Sequence, residues 1–127
     1  MASHTIADLA SSPTDHAPIQ VIQLSDPHLF QDLNACLLGM NTQQSFTEVL
    51  NLVKQNHRHI DLVLATGDIA QSPAPETYTR FYQMLCELGA PQYWLQGNHD
   101  LDQLFLNGCE PHACSSPRII AMGNWRI

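Results

Sequence analysis

Trp94-Leu95-Gln96-Gly97-Asn98-His99-Asp100 decides how this chain is read. An apolar run stops, a glycine frees the backbone, and an amide, an imidazole and a carboxylate follow without a gap. Glycine reaches backbone angles that other residues adopt only with strain, which suits a sharp exit beside a ligand. Asn98 offers a carbonyl oxygen, His99 a ring nitrogen and Asp100 a carboxylate. Alone, the stretch is equally a turn capped by Asn98 with His99 and Asp100 in water, because short motifs often match by chance.

Two earlier stretches repeat the pattern. Val21-Ile22-Gln23-Leu24-Ser25 runs into Asp26-Pro27-His28, and Asp61-Leu62-Val63-Leu64-Ala65-Thr66 runs into Gly67-Asp68. Each short apolar run predicts a strand that delivers ligand-type side chains at its carboxyl end. In open α/β sheets the crevice outside the strand carboxyl ends is where ligands bind. Three strand ends therefore direct Asp26, His28, Asp68, Asn98 and His99 towards one place.

The segments between these strands read as helices, which makes the chain α/β. Asn41 or Thr42 suits a helix start, and Phe46, Val49, Leu50 and Val53 fall on one apolar face. That helix ends near Asn56-His57-Arg58-His59, where the histidines suit the C-terminal dipole better than a metal. Ser72-Pro73-Ala74-Pro75 opens a second helix. Its face is Tyr78, Phe81, Tyr82, Leu85 and Leu88, an aromatic stripe with core spacing, and Gly89 stops it. Pro91–Gln96 predicts the third strand and Arg118–Met122 a fourth. Gly123-Asn124 predicts a turn, and Trp125-Arg126-Ile127 the start of a fifth strand. Cys109-Glu110-Pro111-His112-Ala113-Cys114 lacks a second ligand pair and reads as a loop rather than a zinc clip.

Composition narrows the classes of function. At 127 residues the chain fits one domain or part of one. Asp and Glu number 12 against 5 Lys and Arg, so the basic face that nucleic-acid phosphates require is missing. The 4 cysteines are irregularly spaced and read as free thiols. Residues 1–18 read as a flexible N-terminal arm, without a basic start and apolar core that would mark a signal peptide. No run is long enough to span a membrane, and the expected compartment is the cytoplasm.

Carboxylates, an amide oxygen and imidazoles form a ligand set for manganese, iron, zinc or similar ions rather than copper. Asp68, at the end of the middle strand, is placed to bridge two of them. Two metals roughly 3.5–4 Å apart are the usual device for hydrolysing phosphate esters, since they acidify a water and hold phosphate oxygens. No nucleophilic triad and no glycine-rich phosphate loop competes with this reading.

Asp26-x-His28, Gly67-Asp68 and Gly97-Asn98-His99-Asp100, in that order and each after a strand, resemble the calcineurin-like metallophosphoesterase family. Leu38-Gly39-Met40-Asn41-Thr42 and Ala65–Gln71 are similar to the bacterial class III cyclic-nucleotide phosphodiesterases within it. The resemblance implies βαβ units assembled into a two-sheet sandwich flanked by helices (αββα), with residues 19–127 as the N-terminal part of that domain. It implies two divalent or trivalent metal ions, iron or manganese first, zinc or magnesium next. Asp26 and His28 would hold one ion, Asp68 would bridge both, and Asn98 would bind the second. Asn98 and His99 would meet the substrate phosphate, and His99 would act catalytically with Asp100 orienting it. The implied substrate is 3′,5′-cyclic AMP, hydrolysed to AMP.

The family's later histidines, including a Gly-His-x-His motif, have no counterpart after His99, where His112 stands alone. The chain is therefore expected to be cut short and to carry the N-terminal half of the site. On that reading it retains metal weakly, shows negligible activity alone, and associates with copies of itself through uncovered apolar surface on Val21, Leu24, Val63, Ala65, Tyr93 and Leu95. Two other readings stay open: a metallophosphoesterase acting on a different phosphodiester or monoester, and a non-catalytic metal-binding or interaction remnant.

Overall fold

The computed structural model describes residues 6–8, 18–100, 105 and 119–127. The centre of the fold is a parallel sheet of β2 (Val21–Ser25), β5 (Leu62–Thr66) and β6 (Gln92–Trp94), with β5 in the middle. Ile22 pairs with Val63 and Leu24 with Ala65, while Ala65 pairs on its other side with Trp94. Residues two apart share a face, so Ile22, Leu24, Val63, Ala65 and Trp94 all point the same way. That face is covered by α1 (Thr42–Asn56) and α2 (Pro75–Cys86), whose Phe46, Leu50, Tyr78, Phe81 and Leu85 join it in one core.

Each helix begins where its sequence permits. Asn41 caps α1: its Oδ1 accepts from the Gln44 N–H at 2.8 Å, a contact that contributes about 1 kcal/mol. Pro75 occupies the first turn of α2, where its missing N–H costs nothing. Gly89, at φ +68, takes the left-handed turn after α2. Between the helices an aromatic cluster forms around the fully buried Trp94. Its ring lies 5.0 Å from Phe81 and 5.8 Å from Phe105, both edge-on.

The opposite face of the sheet meets a second one, ordered β1 (Ile6–Asp8), β7 (Ile119–Met122) and β8 (Trp125–Arg126). Ile120 and Met122 pack on the fully buried Leu62, with Ile19, Leu64 and Tyr93 alongside. The described residues thus form helix, sheet and sheet layers, an α/β architecture with a parallel sheet. No helix among them is long and apolar enough to cross a membrane.

Several details depart from the sequence expectation. Ile6–Asp8 lie inside the stretch read as an arm, yet they pair parallel with Ile119–Ala121. The loop expected after His28 contains a hairpin, β3 (Cys36–Leu37) and β4 (Met40–Asn41). The third strand is shorter than Pro91–Gln96, and Val49 is exposed rather than packed. Leu24, Val63 and Ala65 need no second sheet, because the helices bury them. Val21, Leu95, Trp125 and Ile127 do remain exposed. Cys36 and Cys86 are free thiols. Leu101–Leu106, whose sequence suggests a helical turn, and the Cys109–Cys114 loop lie outside the described residues, Phe105 excepted.

Trp94 packs against Tyr78 and Phe81 of α2 and against Phe105, so its loss leaves a cavity the neighbours cannot collapse into. Trp94→Ala is expected to lower the unfolding free energy by about 3–5 kcal/mol, read from urea midpoints at constant m-value. A loss below about 1 kcal/mol would show that α2 does not pack through this ring.

Candidate metal centre

At the carboxyl ends of β2 and β5 the two segments keep running side by side beyond their strands. Asp26 N–H donates to Thr66 O at 2.9 Å, His28 N–H to Asp68 O at 3.1 Å and Leu29 N–H to Ile69 O at 2.9 Å. Leu29 then bridges Ala70 in parallel. Between these anchors Asp26 and His28 hold φ of 52° and 47°, left-handed angles rare outside glycine and found more often for Asp, Asn and His. Such strain costs on the order of 1–3 kcal/mol per residue and persists only where the surroundings over-determine it.

These turns bring together Asp26, His28 and Asp68, each offering one ligand atom, with all three atoms within 4.8 Å of one another. His28 Nε2 lies 4.0 Å from Asp26 Oδ1 and 3.9 Å from Asp68 Oδ2. A small inward movement of the three groups would bring them to the ordinary bond lengths of about 2.0–2.2 Å around one ion. His28 Nδ1 lies 2.7 Å from Gln71 Oε1. An amide oxygen only accepts, so the proton sits on Nδ1 and the Nε2 lone pair faces the carboxylates. The donor set fits a hard-to-borderline divalent ion.

Two glycines make the approach. Gly67 has φ +79, and a Cβ there would overlap Asp26 Oδ1; a Cβ on Gly97 would overlap Asp68 Oδ1 and the Asp68 backbone. Asp68 is buried at 7% exposure, and its Oδ1 accepts the His99 N–H at 2.8 Å. His99 is exposed, its ring 5.7 Å from that of His28 and nearly perpendicular to it. Asn98 is exposed on the same loop, between Gly97 and His99.

Asp100 has a different task from the one its place beside His99 implies. It is buried at 5% exposure. Oδ1 accepts from Ala70 N–H at 2.9 Å and the Tyr78 hydroxyl at 2.6 Å. Oδ2 accepts from Ile69 N–H at 3.1 Å and Gly97 N–H at 2.9 Å. Four donors therefore occupy the carboxylate that was to orient His99, and it ties the two ligand loops to α2 instead. Gln71, Tyr78 and Arg80 were missed as supports. Arg80 donates to the carbonyls of Phe30 and Gln31 and holds the chain leaving the site, and burial lowers its pKa. Only the Ala65–Gln71 similarity pointed at one of them.

A cavity of about 520 Å³ opens beside the cluster, and Ser25, Asp26, Pro27 and His28 form one of its walls.

Comparison with known proteins agrees with this geometry. Residues 19–126 match the calcineurin-like phosphoesterase family. A 3′,5′-cyclic adenosine monophosphate phosphodiesterase CpdA of Haemophilus influenzae is 39% identical over 111 residues, 85% of this chain and 40% of that protein. The CpdA of Pseudomonas aeruginosa is 38% identical over 118 residues, 93% of this chain and 43% of its own. A 3′,5′-cyclic-nucleotide phosphodiesterase of Nostoc sp. is 33% identical over 114 residues, covering 87% and 41%. The chain spans about two fifths of the length of the curated relatives it matches.

The supports can be separated from the ligands. Asp100→Asn turns an N–H₂ donor against two existing donors and is expected to cost about 3 kcal/mol of stability. His99→Ala, at an exposed position, should stay within about 0.5 kcal/mol. Equal melting temperatures for the two variants would return Asp100 to the role of orienting His99. Gln71→Ala frees the His28 ring and should weaken divalent-metal binding by about 10- to 100-fold, the usual loss when such a partner is removed. Calorimetric titration with Mn²⁺ measures it, and an unchanged affinity would detach Gln71 from the site.

Proposed function

Because the chain belongs to the calcineurin-like phosphoesterase family, we propose that it serves a metal-dependent phosphodiesterase that hydrolyses 3′,5′-cyclic AMP to AMP. The observation that carries this reading is the Asp26–His28–Asp68 cluster at the carboxyl end of a parallel sheet. The substrate comes from the similarity to proteins named cyclic AMP phosphodiesterases. Two-metal chemistry by itself serves many phosphate esters.

In this reading Asp26 and His28 would hold one ion, and Asp68 would serve both it and a second that Asn98 would help to bind. The donors suit manganese, iron, zinc or similar ions, and the family resemblance puts iron or manganese first, with zinc or magnesium next. When bound, the ions supply Lewis acidity, lowering the pKa of water and neutralising charge on the phosphate. The chain's own groups do the rest. Gln71 keeps the proton of His28 on Nδ1, away from the cluster. Asp68 Oδ1 anchors the His99 backbone, which leaves the His99 ring at the open side, where it meets the phosphate or the departing oxygen. The compartment that goes with this reading is the cytoplasm.

The test uses the product of the complete gene, purified metal-free and reloaded with Mn²⁺ or Fe²⁺. Cyclic AMP is expected to be converted to AMP, and a chelator is expected to stop the reaction. Asp68→Ala should lose metal binding and turnover together, whereas His57→Ala should leave both unchanged. Turnover of a simple monoester such as p-nitrophenyl phosphate, with none of cyclic AMP, would transfer the proposal to another substrate. Equal losses in the two variants would remove Asp68 from the centre.

A further inference from the structure

The hairpin β3–β4 turns at Leu38-Gly39, with φ of 49° and 84°. A two-residue turn with both angles positive favours Asn-Gly or Asp-Gly. Leucine here is disfavoured twice, since its backbone is strained and its side chain is fully exposed to water at 100%. Neither stability nor solubility explains it. Leu38 stands, however, on the rim of the cavity beside the metal cluster, with Leu37, Met40, Phe46 and Val49 as further apolar lining. The exposure of Val49 and Met40, at 40% and 59%, belongs to the same opening. Thr42 and Ser45 add hydroxyls to the lining. Thr42 is 6% exposed, and its Oγ1 is buried without a hydrogen-bond partner among the described residues.

We propose that this cleft receives the nucleoside part of the substrate, the base lying against Leu38 and Met40, with Leu38 as a specificity-determining residue. The inference rests on the phosphodiesterase reading for its substrate and on the cavity for its place. A cyclic nucleotide is polar at the phosphate and flat and apolar at the base. The cleft offers both characters, since Asp26 and His28 are in its wall and leucine, methionine and phenylalanine side chains line much of the rest beside Gln23, Thr42 and Ser45. A cavity of about 520 Å³ lies within the range of about 300–1,000 Å³ usual for small-molecule sites, which pair apolar walls with a few polar groups. A flat ring between a leucine and a thioether also gives the exposed Leu38 the cover that its own fold does not provide.

Adenosine, which carries no phosphate, tests the cleft separately from the metal. The chain is labelled with ¹³C at Leu, Val and Met methyls and titrated with adenosine in the presence of a chelator. Shifts are expected at Leu37, Leu38, Met40 and Val49. Leu38→Asn is expected to bind adenosine about tenfold more weakly, the scale for losing an apolar contact in a pocket. Its melting temperature should stay level or rise, because Asn tolerates the left-handed turn. Met40→Ala gives a second variant at an exposed position, with weaker binding again expected. Methyl shifts elsewhere, no shifts at all, or unchanged affinity in both variants would overturn the proposal. The two readings also fail separately. Chelator-sensitive hydrolysis with no adenosine in the cleft rejects the subsite alone, whereas adenosine in the cleft with no hydrolysis of any phosphodiester rejects the activity alone.

Discussion

The carboxylate of Asp100 is the contact on which the site depends. It gathers backbone N–H groups from Ile69, Ala70 and Gly97 and the hydroxyl of Tyr78, joining the ends of β5 and β6 to α2. A buried carboxylate is costly unless its oxygens are satisfied, and here each oxygen accepts twice. The bonds fall next to the ligands along the chain: Ile69 follows Asp68 and Gly97 precedes Asn98. Fixing those amides therefore fixes the positions from which Asp68, Asn98 and His99 extend. Side chains meant to hold an ion need support of this kind, because a loosely held ligand set binds poorly.

Layering decides why the site lies where it does. The parallel sheet has α1 and α2 on one face and the β1–β7–β8 sheet on the other. With both faces occupied, the open place for chemistry is the end of the strands, where backbone groups leave the ladder. The helices α1 and α2 return the chain to the amino end after β2 and β5, so the three strands bring their loops to the same carboxyl end. Gly67 and Gly97 let those loops touch, since any Cβ at either position would occupy space held by Asp26 or Asp68.

Much of this was legible in the sequence, for reasons that differ between elements. The strands and helices carry hydrophobic periodicity, and the Asn41 cap and Pro75 mark their starts locally. The convergence of Asp26, His28 and Asp68 follows from their place just after strands. The hairpin Cys36–Asn41 was not legible, because two-residue strands show no alternation. Val49 falls on the helix face that ought to be buried, and only the adjoining cleft leaves it exposed. The pairing of Ile6–Asp8 with Ile119–Ala121 joins residues more than a hundred positions apart, which no local pattern encodes. Asp100 misled because proximity in sequence to His99 says nothing about direction. The backbone turn aims its carboxylate inward, where four donors await it.

The strain at Asp26 and His28 follows from the same arrangement. Left free, an Asp-Pro-His segment would relax from positive φ. Here it is pinned before by the β2–β5 ladder and after by the Leu29–Ala70 bridge, in an unchanged register. Its own amides are spent on Thr66 O and Asp68 O, so relaxation would break bonds on both sides. The distortion is consequently borne by the whole sheet, which the Trp94 cluster and Asp100 hold rigid. An ion arriving at Asp26, His28 and Asp68 would meet side chains already tied by hydrogen bonds, so little of its binding energy would be consumed in ordering them. The same turn forms the wall shared by the metal cluster and the neighbouring cleft. A ligand spanning both would rest against that one element, and movement of the element would disturb both parts of the ligand together.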